Sequence, residues 1–179
     1  MKKLQGFTLI ESIVVMVVMA FAMVTITRFL MPQVASSADP HYQSRAAALG
    51  QSVMTSILAR GFDEKSDSVG GAMRCSSVDS GATACMPASG LGPDGSETPQ
   101  QFNDVDDFIG CWTPNGASSC NDLYDLISAG ENSGYHNFRL DIAVAYSTST
   151  SAQMVKKITL TVHASDQTPI EYVAYRGNY

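Results

Sequence analysis

Hydrophobic and polar residues alternate along this chain in three different ways. From Phe7 to Thr27 the run FTLIESIVVMVVMAFAMVTIT is apolar almost without interruption and holds a single ionisable side chain, Glu11. Wound as a helix at about 1.5 Å per residue it reaches roughly 32 Å, the thickness of a bilayer's hydrocarbon core. Beyond Arg28 and Pro32 the pattern changes. Tyr42, Ala46, Leu49, Val53 and Ile57 recur at steps of four, three, four and four, which is one face of an amphipathic helix. Asp39 before Pro40 reads as its N-cap with proline at the first helical position, and Arg60-Gly61 as its stop. A kink or break is expected between Pro32 and Pro40.

The third pattern is alternation. Phe138, Leu140, Ile142, Val144 and Tyr146 alternate with Arg139, Asp141, Ala143 and Ala145, which predicts a strand with one buried and one wetter face. Ile158, Leu160 and Val162 alternate with Lys157, Thr159, Thr161 and His163, and a third strand, about 170–175, follows the turn SDQTP. Short polar connections make these an antiparallel meander, and the stripe of the helix over 41–60 is the available cover for its apolar face. The expected fold is therefore α+β, a long N-terminal helix packed on a C-terminal antiparallel sheet. Between helix and sheet, residues 61–100 are loop by composition, and NDLYDLISAG (121–130) predicts two helical turns ending at Gly130.

Charge and cysteines change this picture in two places. Acidic residues outnumber basic ones 17 to 11, and Lys/Arg pair up only at Lys2/Lys3 and Lys156/Lys157, so a nucleic-acid surface is poorly supported. Cys75, Cys85, Cys111 and Cys120 all fall in the polar half, where packing supplies little order. No CxxC or Cys/His ligand spacing points to zinc, so disulfides are expected, and with them an environment outside the reducing cytosol. Four cysteines permit three pairings and the sequence does not decide among them. The local choice, Cys75 with Cys85 and Cys111 with Cys120, is expected because each bond would pin a Gly/Ser-rich loop.

Asp104, Asp106 and Asp107 in FNDVDDFIGCW invite a calcium reading, since hard cations want clustered oxygens. The full DxDxDG loop with a distal Glu is missing, which leaves a solvated turn or helix cap as the plainer expectation. Phe102, Phe108 and Trp112 are expected as core anchors. His41, His136 and His163 join no catalytic constellation, and GxSxG, HExxH, P-loop and dinucleotide motifs are absent from the sequence. No enzyme activity and no cofactor is therefore expected.

Lys2 and Lys3 precede the apolar run, so the positive-inside bias holds the N-terminus in the cytoplasm and sends the remainder across the membrane. An ordinary cleaved signal is the competing reading, with VASSA (34–38) as its site, but its apolar region would be shorter. Glu11 separates the two. A carboxylate at mid-bilayer costs about 2.5 to 3.5 kcal/mol on insertion scales, so it either reaches back to the headgroups or has a partner.

The short basic leader Met1–Gln5, then Gly6, Phe7, Thr8-Leu9-Ile10-Glu11 and an unbroken apolar stretch, resembles the class III signal of type IV pilins and of the pseudopilins of type II secretion. The resemblance implies that a prepilin peptidase cuts after Gly6 and methylates Phe7, and that Glu11 aligns the subunit against the free amine of a neighbour. It implies other pilin subunits, an assembly ATPase and an inner-membrane platform protein as partners. The expected organisation is then 1–6 leader, 7–31 transmembrane helix, 32–60 amphipathic continuation and 61–179 head. The chain would be held in the inner membrane with its head periplasmic, then assembled into an extracellular pilus. FNDVDDF and the ending EYVAYRGNY look similar to a minor pilin of the mannose-sensitive haemagglutinin (MSHA) type. A minor pseudopilin is the alternative, as is a tip adhesin whose loops between Gly61 and Gly134 contact a glycan, a surface or DNA.

Overall fold

The computed structural model describes residues 8–37, 39–66, 74–130, 133–147 and 155–178. The chain divides into two units, Met1–His41 and Tyr42–Tyr179. In the first, helix α1 spans Leu9–Ser37. Helix α2 spans Asp39–Leu58; α1 runs on through Pro32, and residue 38, within the stretch where a kink or break is expected, lies outside the described residues. The side chain of Asp39, the expected cap, lies outside them too.

In the second unit a five-stranded sheet has the order β2-β1-β3-β4-β5. Its strands are β1 (Gly110–Thr113), β2 (Asn121–Asp122), β3 (Phe138–Tyr146), β4 (Val155–Ala164) and β5 (Ile170–Gly177). The predicted meander is β3-β4-β5, antiparallel throughout. β1 adds an antiparallel edge to β3, and β2 pairs with β1 in parallel. Register puts Leu140 opposite Val162, Ile142 opposite Leu160 and Val144 opposite Ile158, so each cross-strand pair faces the same way. On that face Ala46, Leu49, Val53 and Ile57 of α2 close the core with Phe102, Phe108 and Trp112. Ala46, Leu49, Val53 and Ile57 from the periodic stripe are buried, while Tyr42 is half-buried at its edge. Close approach of α2 to β5 needs Gly50, because a Cβ there would run into the ring of Tyr172, whose hydroxyl donates to the Ala47 carbonyl at 3.1 Å.

Two expectations need correction. NDLYDLISAG makes one helical turn rather than two: Asn121 and Asp122 are taken by β2, and α3 covers Leu123–Leu126. Asp122 caps it, its Oδ1 accepting from the Tyr124 N–H at 2.9 Å, and Ser128 turns to φ 51° before Gly130 is reached. The turn over 103–107 is not solvated, for Asp104, Asp106 and Asp107 are each 2% exposed.

Candidate functional site

Two sets of residues combine charge with apolar surroundings. The first is α1. Its stretch Leu9–Met31 is 23 residues long with a mean hydropathy of 2.5, long and apolar enough to cross a membrane. The large side chains here stand open, from 46% exposed at Val15 to 78% at Leu9, all round the helix. A helix apolar on every side has its natural surroundings in lipid or among other helices. Hydroxyls within it are satisfied internally: Ser12 donates to the Leu9 carbonyl at 2.8 Å and Thr27 to that of Met23 at 2.8 Å. Near the start of α1, the Glu11 N–H donates to Thr8 Oγ1 at 3.4 Å, while its carboxylate is exposed and has no partner among the described residues. Gly6 and Phe7, the expected processing pair, lie outside those residues.

The second set lies in the head, and sequence reasoning missed its centre. Lys156 is fully buried. Its Nζ donates to the Phe62 carbonyl at 2.7 Å, to Asp63 Oδ2 at 3.2 Å and to Asp106 Oδ1. The rings of Phe62 and Tyr146 flank the ammonium at 4.8 and 5.6 Å. Asp63 is held as an acceptor on several sides, by the N–H groups of Met86 at 3.1 Å and Lys65 at 3.1 Å. The Tyr146 hydroxyl reaches Asp63 at 3.4 Å and donates more closely to the Met86 carbonyl at 2.6 Å. Around Asp106 the loop folds on its own carboxylates. Asp104 Oδ1 accepts from the Asp106 N–H at 2.8 Å, and Asp107 Oδ2 accepts from Asn103 and Asp104 at 2.8 and 3.0 Å.

Burial, and after it repulsion from Asp106, pushes the Asp104 carboxyl up to about 8; the attraction of Lys156 offsets this in part. Asp107 is raised as well, chiefly by burial, with backbone donors opposing. Burial also raises the Tyr146 phenol, with Asp63 adding to it. The three aspartates are thus engaged by backbone N–H groups and a lysine, which is a turn-and-ion-pair arrangement and not the open oxygen cage a calcium ion takes. Lys156 was legible in principle: it is in phase with Ile158, Leu160 and Val162, so strand alternation turns it to the core.

The structure joins Cys75 to Cys85 and Cys111 to Cys120. The first bond lies with Phe62 and Tyr146 in a small apolar cluster, and Asn178 ties the C-terminal end of β5 to it by donating to the Cys75 carbonyl at 2.8 Å. Asp63 lies near both sulfurs, but the disulfide consumes the thiols that a metal would need. The histidines fall outside this set: His163 pairs with Asp141 at 3.0 Å on the sheet's outer face, and His41 and His136 are exposed.

Compared with known proteins, the chain matches the prokaryotic N-terminal methylation motif over residues 1–27. The chain thus carries the motif of type IV pilin-like and pseudopilin proteins, a structural rather than catalytic class. That motif implies processing by a prepilin peptidase and assembly with other pilin subunits, and with the apolar α1 it is consistent with membrane anchoring before assembly. No curated protein and no solved structure matches the chain.

Proposed function

We propose that this chain is a minor type IV pilin, made as a prepilin, cut between Gly6 and Phe7, and inserted into or priming a surface pilus that contributes to adhesion. The observation that carries this reading is a carboxylate, Glu11, without a partner among the described residues, at the start of a helix that is exposed and apolar on every side. Cleavage after Gly6 would free an amine at Phe7, and a Glu11 carboxylate on an adjacent subunit would offer that cation a low-dielectric partner. Such a helix and such a charge are costly alone and satisfied together in a bundle of copies. The head would then face the periplasm before assembly, where its disulfides persist.

The test is mass spectrometry of the mature protein together with its fractionation. A methylated N-terminus at Phe7 and recovery of the chain in fibres sheared from cells are expected; an N-terminus near Ala38 would mean ordinary secretion. Processing at Phe7 with pili unchanged and protein export lost on deletion would assign the chain to a pseudopilin system instead. Loss of adhesion with intact piliation would favour a tip adhesin. FNDVDDF lies in the turn that buries Asp104, Asp106 and Asp107, residues 171–177 of EYVAYRGNY lie in edge strand β5, and the matched motif stops at residue 27, so no particular pilus system is assigned.

A further inference from the structure

Lys156 and Asp106 stand 50 residues apart in sequence and touch through Nζ and Oδ1 at a site with almost no solvent access, the two side chains being 0% and 2% exposed. Their surroundings treat the three neighbouring carboxylates differently. Asp63 accepts hydrogen bonds from two backbone N–H groups and from the Lys156 amine at 3.2 Å, which sets an acceptor oxygen where a proton can leave that amine. Among the described residues Asp106 receives one long backbone bond, from Gly92 at 3.3 Å, and is hydrogen-bonded by the carboxyl of Asp104. That second carboxyl draws electron density from Asp106 and makes its Cγ the electrophilic one. Phe62 and Tyr146 close the other side of the amine and keep water out.

We propose that Lys156 and Asp106 condense spontaneously in the folded head to an isopeptide bond, a covalent cross-link between the 104–107 turn and the start of strand β4. In the step, Asp63 relieves Nζ of a proton, the free amine attacks Asp106 Cγ, and the C–N bond forms. Asp104 protonates the departing Asp106 oxygen, whose bond to Cγ breaks. The two protons lost by the ammonium leave with that oxygen as water, Asp63 and Asp104 return to their starting states, and no oxidant or reductant is used. Asp104, held protonated at neutral pH by its burial, is suited to this donor role. The bond would survive reduction, unlike the disulfide beside it. It does not depend on the filament reading.

The experiment is intact-mass analysis of the full chain, extracted in detergent, reduced and alkylated. A mass lower by one water is expected, and trypsin should release 140–157 joined to 75–139 with Lys156 uncut. A full, unreduced mass would overturn the proposal, and so would a water loss mapped to Asp94-Gly95, where an Asp-Gly pair cyclises. Lys156→Arg should abolish the joined peptide; if that variant does not fold, the joined peptide in the unaltered chain decides alone. Asp104→Asn should slow the appearance of the joined peptide by about a hundredfold, the low end of general acid–base assistance. Unchanged speed would remove Asp104 from the step.

Discussion

Glu11 and Lys156 are both ionisable groups set among apolar side chains, and the chain treats them in opposite ways. Lys156 has every need met from within: a carbonyl, two carboxylates and two aromatic rings surround it. Glu11 has nothing within the described residues to answer its charge. A closed arrangement of the first kind fixes a fold, because removing any member strands the others without solvent. An open one of the second kind is proposed to have its answer in an adjacent subunit. The head is therefore read as a structure complete in itself, and α1 as half of an interface.

Breaking the closed site should have the largest effect. Lys156→Met leaves Asp63 and Asp106 buried without a cation and removes the proposed cross-link as well, so a loss of at least about 3 kcal/mol, the low end for stranding buried charges, is expected in denaturant unfolding of the detergent-solubilised chain. A loss under about 1 kcal/mol would mean that water already reaches the site. Leu160→Ala, a plain cavity at the centre of β4, should cost about 2–5 kcal/mol in the same assay. Removing the Cys75–Cys85 bond by a double Cys→Ser change should cost roughly 2–3 kcal/mol, the value of closing a short loop.

The pH dependence sharpens the same contrast. Asp104 is raised from 3.8 to about 8 by burial and by its carboxylate neighbours Asp106 and Asp107, with Lys156 opposing. Between those values the folded chain holds a proton that the unfolded chain has lost, so this contribution is complete below about 4 and is lost as pH rises through about 8. Head stability is expected to fall over that interval, and Asp104→Asn should flatten the fall. The smallest effect belongs to the surface: Arg139→Ala breaks a solvated pair with Asp141 and should shift stability by less than about 1 kcal/mol.

What the sequence disclosed depended on the length of each pattern. The α2 stripe repeats over five positions and β3–β5 alternate over eight to ten residues, long enough for period and face to be read directly. Strands β1 and β2 have four and two residues, too few to show a period, and β2 is visible only once Trp112 and Asn121 are paired. The same shortness made α3 look longer than it is. Lys156 was hidden by chemistry: beside Lys157 it reads as a surface basic pair, and its inward phase becomes decisive only when strand β4 is started at Val155. The three aspartates were visible as a group, but their burial follows from Phe102, Val105 and Phe108, which drag the turn into the core. For the proposed processing and assembly residues only residue order speaks, since Gly6, Phe7 and Glu11 are proposed from their positions at the head of an apolar run.

The most direct measurement compares how much chain reaches sheared fibres when Glu11 is replaced by valine, with the N-terminus and head stability checked in parallel. The account predicts normal cleavage at Phe7, an unchanged head and a loss from fibres of about tenfold or more. Fibres carrying the valine variant at the unaltered level, from chains correctly processed, would contradict it.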